Sequence, residues 1–221
     1  HLSNPKKILD LGSGNGFNTA FLADVCPNAL IDAVERSEAQ LQYAKQNNFR
    51  PNIQYHNVSF ENFQSDVLYD FILFSHVLQY VDSSIENFIK KAISLLNYSG
   101  ECWFVQQTRV GMYQIIEHQK PYLTNPRFNN WRTFEDFKPI IESSTTSHYE
   151  LTTAVLDSSF REINFAHPSE EDKLRLEFIF CLEKSFNAQS REFKAHLSKL
   201  KLGEKGRIFH PNGIIKIRRV R

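Results

Sequence analysis

The stretch Ile8-Leu9-Asp10-Leu11-Gly12-Ser13-Gly14-Asn15-Gly16 constrains this chain more than any other. A short apolar run closes on an acid, three glycines follow at alternate positions, and Phe17-Asn18-Thr19-Ala20-Phe21-Leu22 then reads as a helix. Strand, tight turn and helix start in that order let a backbone lie against a ligand, because glycine carries no Cβ to hold it off. A dinucleotide fingerprint of the form G-x-G-x-x-G would need glycine where Phe17 stands. That spacing disfavours a nicotinamide-dependent reductase.

The residues that follow repeat the same strand-and-helix rhythm. Leu30-Ile31-Asp32-Ala33-Val34 reads as a second strand, closed by Glu35, and Ser37-Glu38-Ala39-Gln40 has the form of a capping box ahead of a helix carrying Leu41, Tyr43 and Ala44. Residues 53–56 make a third strand. Residues 71–74 make a fourth, with the continuous apolar character of a strand buried on both faces. Ser83-Ser84-Ile85-Glu86 reads as a second capping box, and Ile85, Phe88, Ile89, Ala92, Ile93 and Leu96 then follow a helical stripe. Asn97-Tyr98-Ser99-Gly100 stops that helix before a fifth strand over 102–105. Strands alternating with helices imply parallel βαβ units, hence a doubly wound sheet. Ligands on such sheets lie at the carboxyl ends of the strands, where Gly12, Glu35 and Ser75 fall.

The second half is less regular. It reads as a helix over 112–118, a loop over 120–130, and a helix from Thr133 that kinks or ends early at Pro139. A strand over 149–155 follows, then a long helix from Pro168 through Leu174, Phe178, Cys181 and Leu182, and another over 192–200. Pro211-Asn212-Gly213 reads as a turn before a last strand over 214–220. No repeat or long linker divides the chain.

Composition excludes several functions. The formal net charge is +1, so no basic field argues for nucleic acid or an anionic membrane. The basic residues Lys216, Arg218, Arg219 and Arg221 alternate as on a solvated edge strand. Cys26, Cys102 and Cys181 form no Cys-x-x-Cys pair and no metal-ligand spacing; Cys102 and Cys181 sit in apolar runs as small core residues. Such usage suits a reducing compartment. With no membrane-length apolar run and no signal peptide, a cytoplasmic monomer with no metal is the expectation.

Chemistry concentrates at the strand ends. Glu35 could accept one hydrogen bond from each hydroxyl of a cis-diol, or be a solvated acid opening a loop. Gln40 could cap its helix through Ser37 or face the crevice. In Ser75-His76-Val77-Leu78-Gln79-Tyr80-Val81, just past the fourth strand, His76 has the only ring nitrogen that could accept a proton near neutral pH; the alternative is a hydrogen-bonded structural histidine. Gln79 and Tyr80 fit a substrate-facing position, although Tyr80 with Leu78 fits a core equally well.

The run Asp10-x-Gly12-x-Gly14-x-Gly16 resembles the first motif of class I S-adenosylmethionine-dependent methyltransferases. Val34-Glu35-Arg36-Ser37-Glu38-Ala39-Gln40 is similar to the cofactor motif of the histamine N-methyltransferase family. The resemblance implies a Rossmann-like, mostly parallel seven-stranded sheet in a single domain over 1–221. The cofactor half would cover about 5–107, and helical insertions at about 109–147 and 167–206 would lie over the substrate side. It implies S-adenosylmethionine as cofactor, contacted by Asp10, Gly12, Gly14, Gly16, Glu35, Arg36, Gln40, Ser59, Phe60 (both beside the adenine) and Ser75. It implies a small-molecule acceptor, methylated on an amine or imidazole nitrogen and contacted by His76, Gln79, Tyr80, Phe178 and Asn212, with His76 and Tyr80 in the catalytic roles. A cofactor-binding module without turnover is the alternative.

Departures from that family are specific. It carries Gln where His76 stands and Tyr where Gln79 stands, while Tyr80 is kept. Its amine-binding Asn falls at Pro211 or, with a one-residue shift, at Asn212. Its substrate-binding Glu lies ahead of the glycine turn. Because the first strand begins almost at His1, a helical segment ahead of it is expected to be missing from this sequence.

Overall fold

The computed structural model describes residues 4–81, 84–123, 131–157, 163, 165, 167–180, 182, 184–198 and 209–220, without the side chain of Phe178. Strands β1 (Lys7–Leu11), β2 (Leu30–Val34), β3 (Ile53–His56), β4 (Tyr69–Ser75), β5 (Leu96–Gln107), β6 (Tyr149–Leu156) and β7 (Asn212–Arg219) form one sheet in the order β3-β2-β1-β4-β5-β7-β6. The helices are α1 (Phe17–Val25), α2 (Glu38–Asn47), α3 (Ile85–Ser94), α4 (Met112–Gln119), α5 (Phe134–Ser144), α6 (Glu170–Ile179) and α7 (Arg191–Ser198). The pairs β1–β2, β2–β3, β1–β4 and β4–β5 are parallel, as the continuous apolar strands required. The strand order reverses between β1 and β4, which is the switch point where such sheets open a ligand crevice.

By their internal contacts the residues fall into two compact units. The first comprises His1–Gln106, Asp136–Ala154 and Ile214–Arg221; the second comprises Gln107–Glu135 and Val155–Gly213. In the first, Ile8, Ile31, Phe71 and Leu73 bury one side of the sheet against Leu22 and Ala23 of α1. Among its aromatic residues, Phe74 stacks on Phe104 at 4.7 Å, and Phe60 meets Phe88 of α3 edge-on at 4.6 Å. The second unit has its own core, built from Ile115 and Ile116 of α4, Leu176 and Ile179 of α6, and Phe193 and Leu197 of α7.

Several expectations are corrected. β7 lies between β5 and β6, so its basic residues do not line an edge strand. Lys216 Nζ sits 4.0 Å from the Trp103 ring centroid, and the Arg219 guanidinium lies 4.7 Å from that of Tyr98 while donating to Leu96 O at 2.6 Å. These two cations are seated on aromatic faces instead of being simply solvated; Arg218 is exposed, and Arg221 lies outside the described residues. Asn212 and Gly213 belong to β7 instead of a turn.

Helix ends shift for local reasons. The cap of α3 is Ser84, whose Oγ accepts from Asn87 N at 3.4 Å, one residue later than the expected box; Ser83 lies outside the described residues. α5 runs on past Pro139, which stands inside the helix and removes one intrahelical donor without ending it. α6 stops at Ile179, short of Leu182, and its buried face carries Leu176 and Ile179, with Leu174 65% exposed. Cys181 and Leu200 lie outside the described residues. The residues expected to separate α3 from the fifth strand instead form an irregular start to β5, where Tyr69 opposes Leu96 but Phe71 opposes Glu101. Among the described residues, no helix is long and apolar enough to cross a membrane.

Candidate functional site

The glycine turn between β1 and α1 is a backbone device. Gly12, Gly14 and Gly16 all take the left-handed conformation, with φ of 70°, 55° and 78°. Gly12 N and Ser13 N both donate to Val34 O, at 2.8 and 3.1 Å, which ties the turn to the end of β2. A Cβ on Gly12 would stand 2.5 Å from Val77 Cγ2, so the segment after β4 packs directly on this turn. A Cβ on Gly14 would meet nothing nearer than Gly12 O at 4.0 Å. One glycine is needed for packing; the other leaves an open face.

That difference gives a testable contrast. Gly14→Ala should carry only the left-handed backbone penalty of about 1–2 kcal/mol, whereas Gly12→Ala adds the clash with Val77 and should lower the melting temperature further. The ligand should feel Gly14→Ala most, since the new methyl enters the open face. Equal effects of the two variants on stability and ligand affinity would contradict this assignment.

Glu35 stands at the carboxyl end of β2, its own N–H bonded to His56 O at 3.0 Å. Its Oε2 accepts from Gly14 N at 3.0 Å and its Oε1 from Ser37 N at 2.7 Å. Each carboxylate oxygen keeps a further lone pair, so the group can still take two hydroxyl donors while fastening the glycine turn to the α2 entry. Ser37 caps α2, accepting from Gln40 N at 3.4 Å. Because Glu35 takes the Ser37 N–H, the Gln40 side chain is spared the reciprocal half of the expected capping box, and it is exposed. Arg36 is exposed as well. Asn57 Nδ2 braces this corner by donating to Glu35 O and Arg36 O at 3.1 and 3.2 Å.

Asp10 lies beneath the turn, 2% exposed, and accepts from Thr19 Oγ1 of α1 at 2.5 Å. Burial pushes its carboxyl up to about 6; the Thr19 hydrogen bond opposes that shift, and the charge of Glu35 adds to it. Ser13 Oγ is buried with no hydrogen-bond partner. An open glycine face, a carboxylate with spare lone pairs and an unpaired buried hydroxyl fit a ligand with a cis-diol pressed against the backbone.

The remaining predicted residues divide. Ser59 is half-buried; Phe60 is 6% exposed, its ring packed on Phe88 and under Lys91 Nζ at 4.8 Å, so that ring is core and only the neighbouring Ser59 and backbone stay near the strand ends. Ser75 ends β4 opposite Val105, and His76 donates its backbone N–H to Val105 O at 2.9 Å. His76 holds φ at 57°, a left-handed backbone uncommon outside glycine and concentrated at functional positions. Tyr80 is half-buried in a 3-10 turn over Leu78–Tyr80, with Leu78 as its core residue. Gln79 accepts from Gln106 Nε2, a partner the sequence reading missed. The signal available was three successive polar residues, Gln106-Gln107-Thr108, closing an apolar strand. Asn212, half-buried, belongs to the second unit, as does Phe178, whose side chain lies outside the described residues. Among the described residues, no group of three or more His, Cys, Asp or Glu could hold a metal.

Glycine turn, acidic β2 end and strand order together match a known family. The model of the methyltransferase small domain family matches residues 1–127. The chain belongs to that family. It is thereby a class I, S-adenosylmethionine-dependent methyltransferase by family and fold. A curated relative, the malonyl-[acyl-carrier protein] O-methyltransferase of Halalkalibacterium halodurans, is 34% identical over 87 residues, which is 37% of this chain. That match spans only about a third (32%) of the relative's length. The plantazolicin methyltransferase BpumL in complex with S-adenosylhomocysteine superposes with a TM-score of 0.61 at 15% identity, over 98% of this chain and 77% of that one. A candidate methyltransferase from Bacillus halodurans C-125 gives 0.62 at 15% identity, over 99% and 94%. At such identities the structures speak for the fold alone. These comparisons support the class I methyltransferase reading and lend no support to the narrower histamine N-methyltransferase branch.

Proposed function

We propose that this chain transfers a methyl group from S-adenosylmethionine to an amine or imidazole nitrogen of a small molecule, working as one methyltransferase domain over 1–221. The observation that carries the reading is the packing of Val77 on Gly12, because it sets His76 and Ser75 beside the glycine turn. In this reading Glu35 holds the ribose hydroxyls, the open face of Gly14 receives the cofactor backbone, and Asp10 and Gly16 shape the turn. Gln40, Arg36, Ser59, the backbone at Phe60 and Ser75 complete the cofactor contacts. The bound cofactor supplies an electrophilic methyl on a sulfonium.

The protein's own part is to hold the acceptor in line and keep it unprotonated. Alignment alone can supply about 7–11 kcal/mol of such a barrier, so few covalent roles are needed. His76 takes the proton of the acceptor nitrogen, Tyr80 forms a wall beside it, and Gln79 is the further acceptor contact. The acceptors of the similar proteins, a malonyl-[acyl-carrier protein] and a monoazolic desmethyl-plantazolicin analogue, belong to those proteins.

Titration with S-adenosylhomocysteine, S-adenosylmethionine and NADH tests the cofactor half. The first two should bind in the micromolar range and NADH should not. At about a hundred times the dissociation constant, the ligand should stabilise the fold by roughly 2.7 kcal/mol. A melting shift with NADH alone would remove the assignment. Glu35→Ala should weaken S-adenosylhomocysteine binding by about 1.5–3 kcal/mol, the worth of hydrogen bonds to a charged acceptor, with the far-ultraviolet circular dichroism kept. A folded Glu35→Ala protein with wild-type affinity would reduce Glu35 to a turn brace.

A further inference from the structure

Gln106 follows the β5 residue Val105, which opposes Ser75 and accepts the His76 backbone N–H. It is 3% exposed, and its Nε2 donates to Gln79 Oε1. Its own Oε1 is buried with no hydrogen-bond partner. The reverse arrangement, with Gln79 donating to Gln106, would instead bury an unpartnered amide N–H, and orphaned donors are the rarer and costlier case. The half-buried Gln79 is thus held with its carbonyl turned inward, which leaves its Nε2 donors as the outward end of the amide.

We propose that Gln106 is a positioning residue which fixes the polarity of Gln79, so that the acceptor pocket presents a hydrogen-bond donor and selects acceptors with a lone pair beside the methylated atom. The proposal rests on the methyl-transfer reading above. An amine bearing a neighbouring carbonyl or pyridine-type ring nitrogen meets this requirement, as the side-chain amine of histamine does. A simple alkylammonium, which offers only N–H groups, meets an opposing donor and is rejected. The two glutamines then act as one device: Gln79 touches the acceptor, and Gln106 acts only through Gln79.

The experiment compares wild type, Gln79→Met, Gln106→Met and the double variant, with histamine and phenethylamine as probes. S-adenosylhomocysteine release gives KM and kcat, titration gives S-adenosylhomocysteine affinity, and melting without ligand reports stability. In wild type, histamine should be preferred over phenethylamine by about tenfold or more. Each single variant should raise the histamine KM by about five- to tenfold, leave S-adenosylhomocysteine affinity unchanged and erase the preference. The double variant should be no worse than either single one, because the two changes remove the same interaction. A merely structural pair would instead lower the melting temperature and leave the preference intact, which overturns the proposal. Additive KM effects, or failure of histamine to bind wild type loaded with S-adenosylhomocysteine, overturn it as well. Loss of S-adenosylhomocysteine binding by wild type would strike the methyl-transfer reading itself.

Discussion

His76→Gln should lower kcat by about 10²–10⁴-fold with S-adenosylhomocysteine affinity unchanged. Glutamine fills a similar volume and can hydrogen-bond an acceptor, but it cannot take a proton near neutral pH, so the substitution separates orientation from proton transfer. The lost rate should be greatest where the acceptor is mostly protonated, and should narrow as pH rises and free base becomes available from solution. The backbone supplies a control, since His76 holds φ at 57°. His76→Gly deletes the ring yet relieves the left-handed strain of about 1–2 kcal/mol, so it should melt at or above wild type while losing comparable turnover. Parallel rate–pH profiles for wild type and His76→Gln, on an acceptor that both methylate, would take His76 out of the chemistry.

The parallel half of this fold was legible because its signals are local. β1 and β2 end at a glycine turn and an acid, and their largely apolar residues are buried in the sheet. Glu35 could be singled out from spacing alone. Its tie to Gly14 N could not, since that bond joins residues 21 positions apart. Phe60 fits a ligand wall or the core by its place in the chain, and its ring packs against Phe74, Phe88 and Lys91. Gln106 was missed because a polar residue closing a strand has no meaning until the partner across the sheet is known. The basic stripe of β7 misled for the same reason, as alternation reports which face a residue takes and not whether another strand lies beyond it.

Asp10 should make stability fall as pH rises from about 4 to about 6. Its carboxyl is raised from 3.8 to about 6 in the fold, chiefly by burial. In that window the native protein retains a proton that the unfolded chain has released, so raising pH draws the equilibrium toward unfolding. A shift of about two units corresponds to roughly 3 kcal/mol, fully developed above about pH 6. Asp10→Asn keeps an oxygen to accept from Thr19 Oγ1 and removes the charge. It should therefore match wild type near pH 4 and exceed it by about that amount at pH 7.5, read from urea midpoints across the range. Other carboxylates, such as Asp70, whose carboxyl is held low against the effect of burial by hydrogen bonds from the Lys6 and Lys7 backbone and from Asn97, titrate alike in both proteins and cancel in the difference. Parallel urea curves would mean that Asp10 is not the group responsible.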